Sequence, residues 1–251
     1  MSAQWVTLEQ EVDRWRMLGR PVDLWWRDDD ARTSTPELAR LLELARETGA
    51  PLALAVIPEG ARAEAFDDMA PWVEVLQHGA DHLNRGGGQG KKTEFPLLEP
   101  AEEAIRRLQE GRRTLKQLFG ECALAVLAPP WNRFAQDRVG DVVRAGFTGL
   151  STFGPRQARR PVPGLLQINT HVDIIDWHAG RAFVGEARAL DMMAAQLRAC
   201  RLGQRDAGEP LGLLTHHELH DRAACDFLRR LFERSRKLAG LRWRRASEIF
   251  A

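Results

Sequence analysis

The chain has 251 residues, which ordinary domain sizes read as a single domain, 1–251, able to bury a substantial core. Lys+Arg at 36 nearly balances Asp+Glu at 35, and 44% hydrophobic with 28% charged residues is ordinary for a globular protein. The resulting net charge of +1 excludes an electrostatic case for nucleic acid or an anionic membrane as partner.

Met1 to Arg20 alternates charged and apolar residues and contains no apolar core of signal-peptide length, so a cytoplasmic location is expected. No run approaches the ~18 consecutive apolar residues of a membrane span. Asp23 to Arg27 then reads as a strand that stops at Asp28-Asp29-Asp30. A helix follows, with Thr35 as N-cap, Pro36 at its first position, Leu38, Leu41, Leu42 and Ala45 at helical spacing, and Gly49 closing it.

Leu52 to Ile57 and Trp72 to Leu76 are short apolar runs of strand type, the second leading into Gln77-His78-Gly79-Ala80-Asp81-His82. Arg85 to Lys92, with Gly86-Gly87-Gly88, reads as a flexible loop, either a lid or plain surface. Glu99 to Phe119 carries helical periodicity through Ile105, Leu108, Leu115 and Leu118. Leu124 to Leu127 is strand-like and runs into Pro129-Pro130-Trp131-Asn132-Arg133.

Beyond it come a helix near Asp137 to Ala145, a strand from Phe147 to Ser151, and an apolar stretch from Leu165 to Ile168 that leads towards Asp173. A helix from Ala189 to Arg201, a strand from Leu211 to Leu214 and a long helix from Ala223 to Lys237 complete the pattern. About seven strands alternating with helices imply an α/β fold with a parallel sheet and outer helices. Cys122, Cys200 and Cys225 are too scattered for a disulfide framework or a zinc-ligand pattern and read as reduced, mostly buried residues.

The titratable clusters fall just after the apolar strands, where α/β barrels carry their chemistry. Three adjacent carboxylates at Asp28, Asp29 and Asp30 repel one another unless a cation neutralises them. His78 and His82 have the separation that puts two imidazoles on one side of a helical turn, able to converge on one ion. Leu214-Thr215-His216-His217 places a group titrating near neutrality at a strand mouth, suited to protonating a leaving amine. Trp131 offers an aromatic plate in a rigid loop. No glycine-rich phosphate loop follows the first strand, and no Gly-x-Ser-x-Gly elbow is present.

Asp-Asp after the first strand, His-x-x-x-His after the third, Pro-Pro-aromatic after the fourth and Leu-x-His after the last occur in that order. This resembles the polysaccharide deacetylases, the NodB-homology fold of carbohydrate esterase family 4, over roughly Leu24 to Asp221. The resemblance implies a distorted β/α barrel and a metal-dependent hydrolase that removes an N-acetyl group from a sugar or sugar conjugate. It implies one divalent ion, zinc foremost with cobalt, nickel or iron as alternatives, on Asp30, His78 and His82. Asp29 then matches the general base and His216 the general acid, and the pair implies a bell-shaped pH–rate profile.

Two assignments stay open: Asp28 as base with Asp29 as ligand, and His217 in place of His216. Pro130, Trp131, Asn132, Arg133 and, from Asp173-Ile174-Ile175-Asp176-Trp177, Trp177 match substrate-bordering positions. The family's loop arginine falls on Ala128; Arg133 or Arg27 could supply the charge that holds the base, and without either a weak or altered activity is expected. The implied partner is a small-molecule or oligosaccharide amide. Hydrolysis of a non-sugar C–N bond, or a carbohydrate-binding pseudoenzyme, are the alternatives.

Overall fold

The computed structural model describes residues 2–66, 69–87 and 90–251. Its first element is a helix, α1 (Ala3–Met17), which lays Trp5, Leu8, Val12 and Trp15 against the later helix α5 (Glu186–Arg201). Their spacing is helical, but this helix is absent from the expected elements. The Trp15 indole donates to the Leu197 carbonyl and the Trp5 indole to Glu186, fixing one helix on the other.

The central strands are β1 (Val22–Ala31), β2 (Leu52–Val56), β3 (Val73–Gln77), β4 (Ala123–Leu127), β5 (Gly149–Leu150), β6 (Leu166–Gln167) and β7 (Val172–Asp173). A two-stranded hairpin, β8 (Ile175–Asp176) and β9 (Ala182–Phe183), stands apart from them. The last strands are β10 (Leu211–Thr215) and β11 (Leu241–Trp243). All pairs of the main sheet are parallel, in the order β6-β5-β4-β3-β2-β1-β10-β7, with β11 also on β1.

The two ends of that path are one run of chain. The N–H groups of Leu166, Ile168 and Thr170 donate to Thr148, Leu150 and Thr152. Those of His171 and Ile174 then donate to Gly212 and Leu214 on the other side. With that shared run counted as one stave, the sheet closes into a distorted barrel of about seven strands, as the alternation implies.

Inside it, Trp25 is buried among Ala53, Ala55, Leu76, Val126 and Ile168. Small side chains on neighbouring strands leave room for one large one. Phe250, just after the C-terminal helix α7 (Ala246–Ile249), meets the Trp25 ring edge-on at 5.9 Å. Leu24 and Trp26, one residue either side of Trp25, instead belong to the larger outer core shared with the helices.

Those helices are α2 (Pro36–Thr48), α3 (Ala101–Phe119), α4 (Val139–Arg144), α5 and α6 (Arg222–Ser235). Thr35 caps α2 by accepting the Leu38 N–H at 3.1 Å, and Gly49 ends it in the left-handed region at φ 59°. Cys200 is buried and Cys122 exposed, and all three thiols are free. Gly88 of the expected glycine loop lies outside the described residues, and among those described no helix is long and apolar enough to cross a membrane.

Candidate active site

The first strand does not stop at Arg27. It continues through the acids to Ala31, because β10 and β2 supply hydrogen-bonding partners on both sides. Period-two alternation then sorts the acids. Trp25, Arg27 and Asp29 belong to the barrel interior and its mouth, whereas Trp26 and Asp28 face the outer layer. At Asp30 the alternation breaks: φ is 75° and the pairing with β2 shifts register between Asp28 and Ala31. Asp30 therefore also turns towards the mouth.

Asp28 is fully buried and committed elsewhere. Its Oδ1 lies 2.6 Å from His217 Nδ1, and its Oδ2 accepts the Thr215 hydroxyl at 2.5 Å. The same hydroxyl accepts the Trp26 indole N–H at 2.8 Å. Burial would raise the Asp28 carboxyl, but the His217 charge overrides it and holds it low. His217 is likewise buried, yet Asp28 keeps its imidazole raised. This pair ties β1 to the turn after β10 from outside the barrel.

Asp30 Oδ1 lies 3.1 Å from His78 Nε2 and 3.2 Å from His82 Nε2. Among the described residues these three form the one group of His, Cys, Asp or Glu that could hold a metal ion, their donor atoms all within 4.8 Å of one another. Burial opposes the Asp30 charge, but the two imidazoles hold its carboxyl far below the usual range. His78 is raised in turn, since Asp29 and Asp30 outweigh its burial.

The histidines do not share a helical turn. The loop between them bends into the left-handed region at Gly79 (φ 65°) and His82 (φ 63°). The N–H groups of Ala80 and Asp81 go to the buried Glu94 carboxylate, at 2.8 and 3.1 Å, instead of to helical carbonyls. Burial, with the Asp81 charge beside it, pushes the Glu94 carboxyl up to about 7 despite those two donors.

The cation facing Asp29 is Arg27. Arg27 Nη2 donates to Asp29 Oδ2 at 3.0 Å, and Nε lies 2.8 Å from Oδ1 as an ion pair. Nη1 reaches across the barrel to the Ser151 carbonyl and hydroxyl at 3.0 and 2.7 Å, and Nη2 also donates to Asn132 Oδ1. Asn132 thus turns inward to the guanidinium. Arg133 instead donates to the Lys92 carbonyl. Trp131 and Asn132 are both left-handed, at φ 56° and 57°, which sets the Trp131 ring 4.6 Å from the His82 ring. Pro130 is buried against Gly79. Of the five described non-glycine residues with positive φ, four are Asp30, His82, Trp131 and Asn132. Such strain of ~1–3 kcal/mol each persists where surroundings over-determine it and concentrates at functional sites.

His216 faces the opposite way from His217, towards Asp173 (Nδ1 to Oδ1 3.9 Å) and the Trp177 ring, which meets it edge-on at 4.7 Å. Asp173 accepts the Trp177 indole at 2.7 Å, and burial raises its carboxyl although His216 counters. The charges of His216 and Asp30 act on each other, so the mouth brings Asp29, Asp30, His78, His82, Trp131 and His216 into one field. Sequence reasoning missed Asp173, Ser151 and Glu94 as parts of this arrangement. Asp173 carried a usable signal, an acid following an apolar run; Glu94 carried none.

Neither family models nor curated proteins give a match to this chain. Among solved structures, a protein from Mycobacterium smegmatis described as a polysaccharide deacetylase superposes with TM-score 0.67 at 18% identity, covering 92% of this chain and 90% of that one. The chain has the polysaccharide-deacetylase fold. A family 4 carbohydrate esterase from Streptomyces lividans, solved with acetate, shares that fold with TM-score 0.56 at 13% identity, covering 89% of this chain and 91% of that one. The Puue allantoinase shares it as well, with TM-score 0.61 at 14% identity and coverage of 91% and 89%. The polysaccharide-deacetylase fold thus spans almost the whole of this chain, with the acid and histidine clusters at the C-terminal ends of its strands.

Proposed function

We propose that the protein is a metal-dependent hydrolase that removes an N-acetyl group from a sugar or sugar conjugate. The observation that carries this reading is the convergence of Asp30, His78 and His82 beside a second, cation-clamped carboxylate, Asp29. One carboxylate oxygen and two imidazole nitrogens suit zinc or a similar divalent transition ion. When bound, such an ion would supply Lewis acidity and lower the pKa of water.

Asp29 takes the proton of the attacking water as general base. Its oxygens are oriented by Arg27, so its lone pairs are fixed before substrate arrives. His216 gives a proton to the leaving nitrogen, with Asp173 and the Trp177 ring beside it orienting the imidazole. Asp28 and His217 then have structural roles, which supports Asp29/Asp30 over Asp28/Asp29 and His216 over His217. Trp131 and Trp177 border the substrate, with Pro130 and Arg133 supporting the Trp131 side.

The allantoinase of the same fold favours one second reading, hydrolysis of a non-sugar amide by the same groups. A carbohydrate-binding protein without turnover has less support, since Arg27 fills the role left open at Ala128.

Elemental analysis of the purified protein beside a His78→Ala/His82→Ala variant tests the reading. About one zinc, cobalt, nickel or iron per chain is expected in the wild type and none in the variant, with acetate release from N-acetylated sugars lost in parallel. A wild type that stays metal-free after reconstitution would overturn it. Ammonia or amine release from non-sugar amides alone would select the second reading.

A further inference from the structure

Glu94 is a fully buried acid beside Asp81, and among the described residues no cation forms an ion pair with it. Leaving a carboxylate so placed is costly unless its oxygens meet donors that matter. Its Oε1 takes both consecutive N–H groups in the middle of the four-residue step from His78 to His82. Its Oε2 packs so closely on Gly79 that a Cβ there would lie 1.9 Å away, with Pro130 Cδ 2.6 Å off on the other side.

The far end of the same step is held separately. The Asp81 carboxylate accepts the Leu83 N–H at 2.9 Å and the Arg85 guanidinium at 2.8 and 2.5 Å, while Arg32 donates to the Asp81 carbonyl. Glu94 thus holds the Ala80 and Asp81 N–H groups, while Gln77, the Glu59 N–H and Arg32 hold the carbonyls of Gly79, Ala80 and Asp81.

We propose that Glu94 is a positioning residue that sets the spacing of the His78 and His82 imidazoles for the ion. This inference rests on reading Asp30, His78 and His82 as a metal site. Glu94 acts by fixing the Gly79–Ala80 and Ala80–Asp81 peptide groups, two of those that lie between the histidines. Outer partners of ligands typically change metal affinity by about 10- to 100-fold.

Zinc affinity measured by competition with a chromophoric chelator, on the full chain, tests it, with thermal unfolding of the metal-free proteins recorded beside it. Glu94→Met, which cannot accept an N–H, is expected to weaken zinc binding by about 10- to 100-fold. Glu94→Gln keeps an accepting oxygen at the same reach and is expected to stay near wild type. Glu94→Asp keeps the charge but withdraws the oxygen, and is expected to lose affinity. If Glu94→Met does not fold, the Gln and Asp variants decide. Affinities of Glu94→Met or Glu94→Asp equal to wild type would overturn the inference while leaving the metal site standing. A wild type that binds no zinc would instead sink the metal-site reading beneath it.

Discussion

Asp29→Asn is expected to lower turnover by about 10²- to 10⁴-fold while the ion stays bound, the loss typical when a general base is removed. The amide cannot take a proton, and it leaves the buried Arg27 without its counter-ion, so stability should fall while Asp30, His78 and His82 still hold zinc. Asp28→Asn is the matched control, one residue away with the opposite expectation. It faces outward, clamps His217 and Thr215, and is fully buried. Its replacement should leave metal content intact and cost about 1–3 kcal/mol of stability through the weakened buried charge-assisted bonds. Steady-state acetate release, elemental analysis and chemical denaturation separate the two. Full turnover in Asp29→Asn, or abolished metal binding in Asp28→Asn, would reverse the assignment of base and ligand.

Arg27→Met should be the most damaging single change in the barrel. It deletes a cation that is fully buried and bound to Asp29, Asn132 and Ser151 at once, and leaves the buried Asp29 carboxylate without its guanidinium partner. Removing one partner of a buried ion pair costs about 3–5 kcal/mol. Turnover should also fall, because the carboxylate loses the contact that aims it. The double variant Arg27→Met/Asp29→Asn distinguishes the two losses: neutralising the stranded acid should restore part of the stability but none of the turnover. A double variant no more stable than Arg27→Met alone would mean that the pair contributes through packing and not through charge.

How much of this was legible in the sequence depended on how local the signal is. Thr35, Pro36 and Gly49 bound α2 as expected, because caps are chemistry between near neighbours. The apolar runs gave β2, β3, β4 and β10 within a residue or so. The acid triplet could not be sorted, since which side Asp28 or Asp29 faces depends on the strand continuing past Arg27, and that continuation is supplied by β10 and β2 far along the chain. The same distance left the choice between Arg27 and Arg133 as the guanidinium for Asp29 open, since the anchors of Arg27, Asn132 and Ser151, lie on other strands' loops.

The histidine pair was found, but its geometry was not. Four-residue spacing suits a helical turn, but long-range bonds with Glu94, Glu59 and Arg32 hold this step as a non-helical loop. His216 and His217 were indistinguishable as neighbours until the direction of β10 sent one inward and the other towards Asp28. In α1 the local signal was present and went unused: Trp5, Leu8, Val12 and Trp15 already carry the stripe.

The pairing of β1 with β10 also has a consequence for how the chain is made. A ribosome adding about 5–20 residues per second completes β10 roughly ten to forty seconds after β1 has been synthesised. Through that interval β1 lacks the partner strand that its Leu24 to Asp28 backbone bonds to in the finished barrel. The large apolar surfaces of Trp25 and Trp26 then have no closed barrel around them, and the strand bearing Arg27 and Asp29 is an edge. Fragments ending before Leu211 should accordingly aggregate or bind chaperones, and none should bind metal with the affinity of the whole chain.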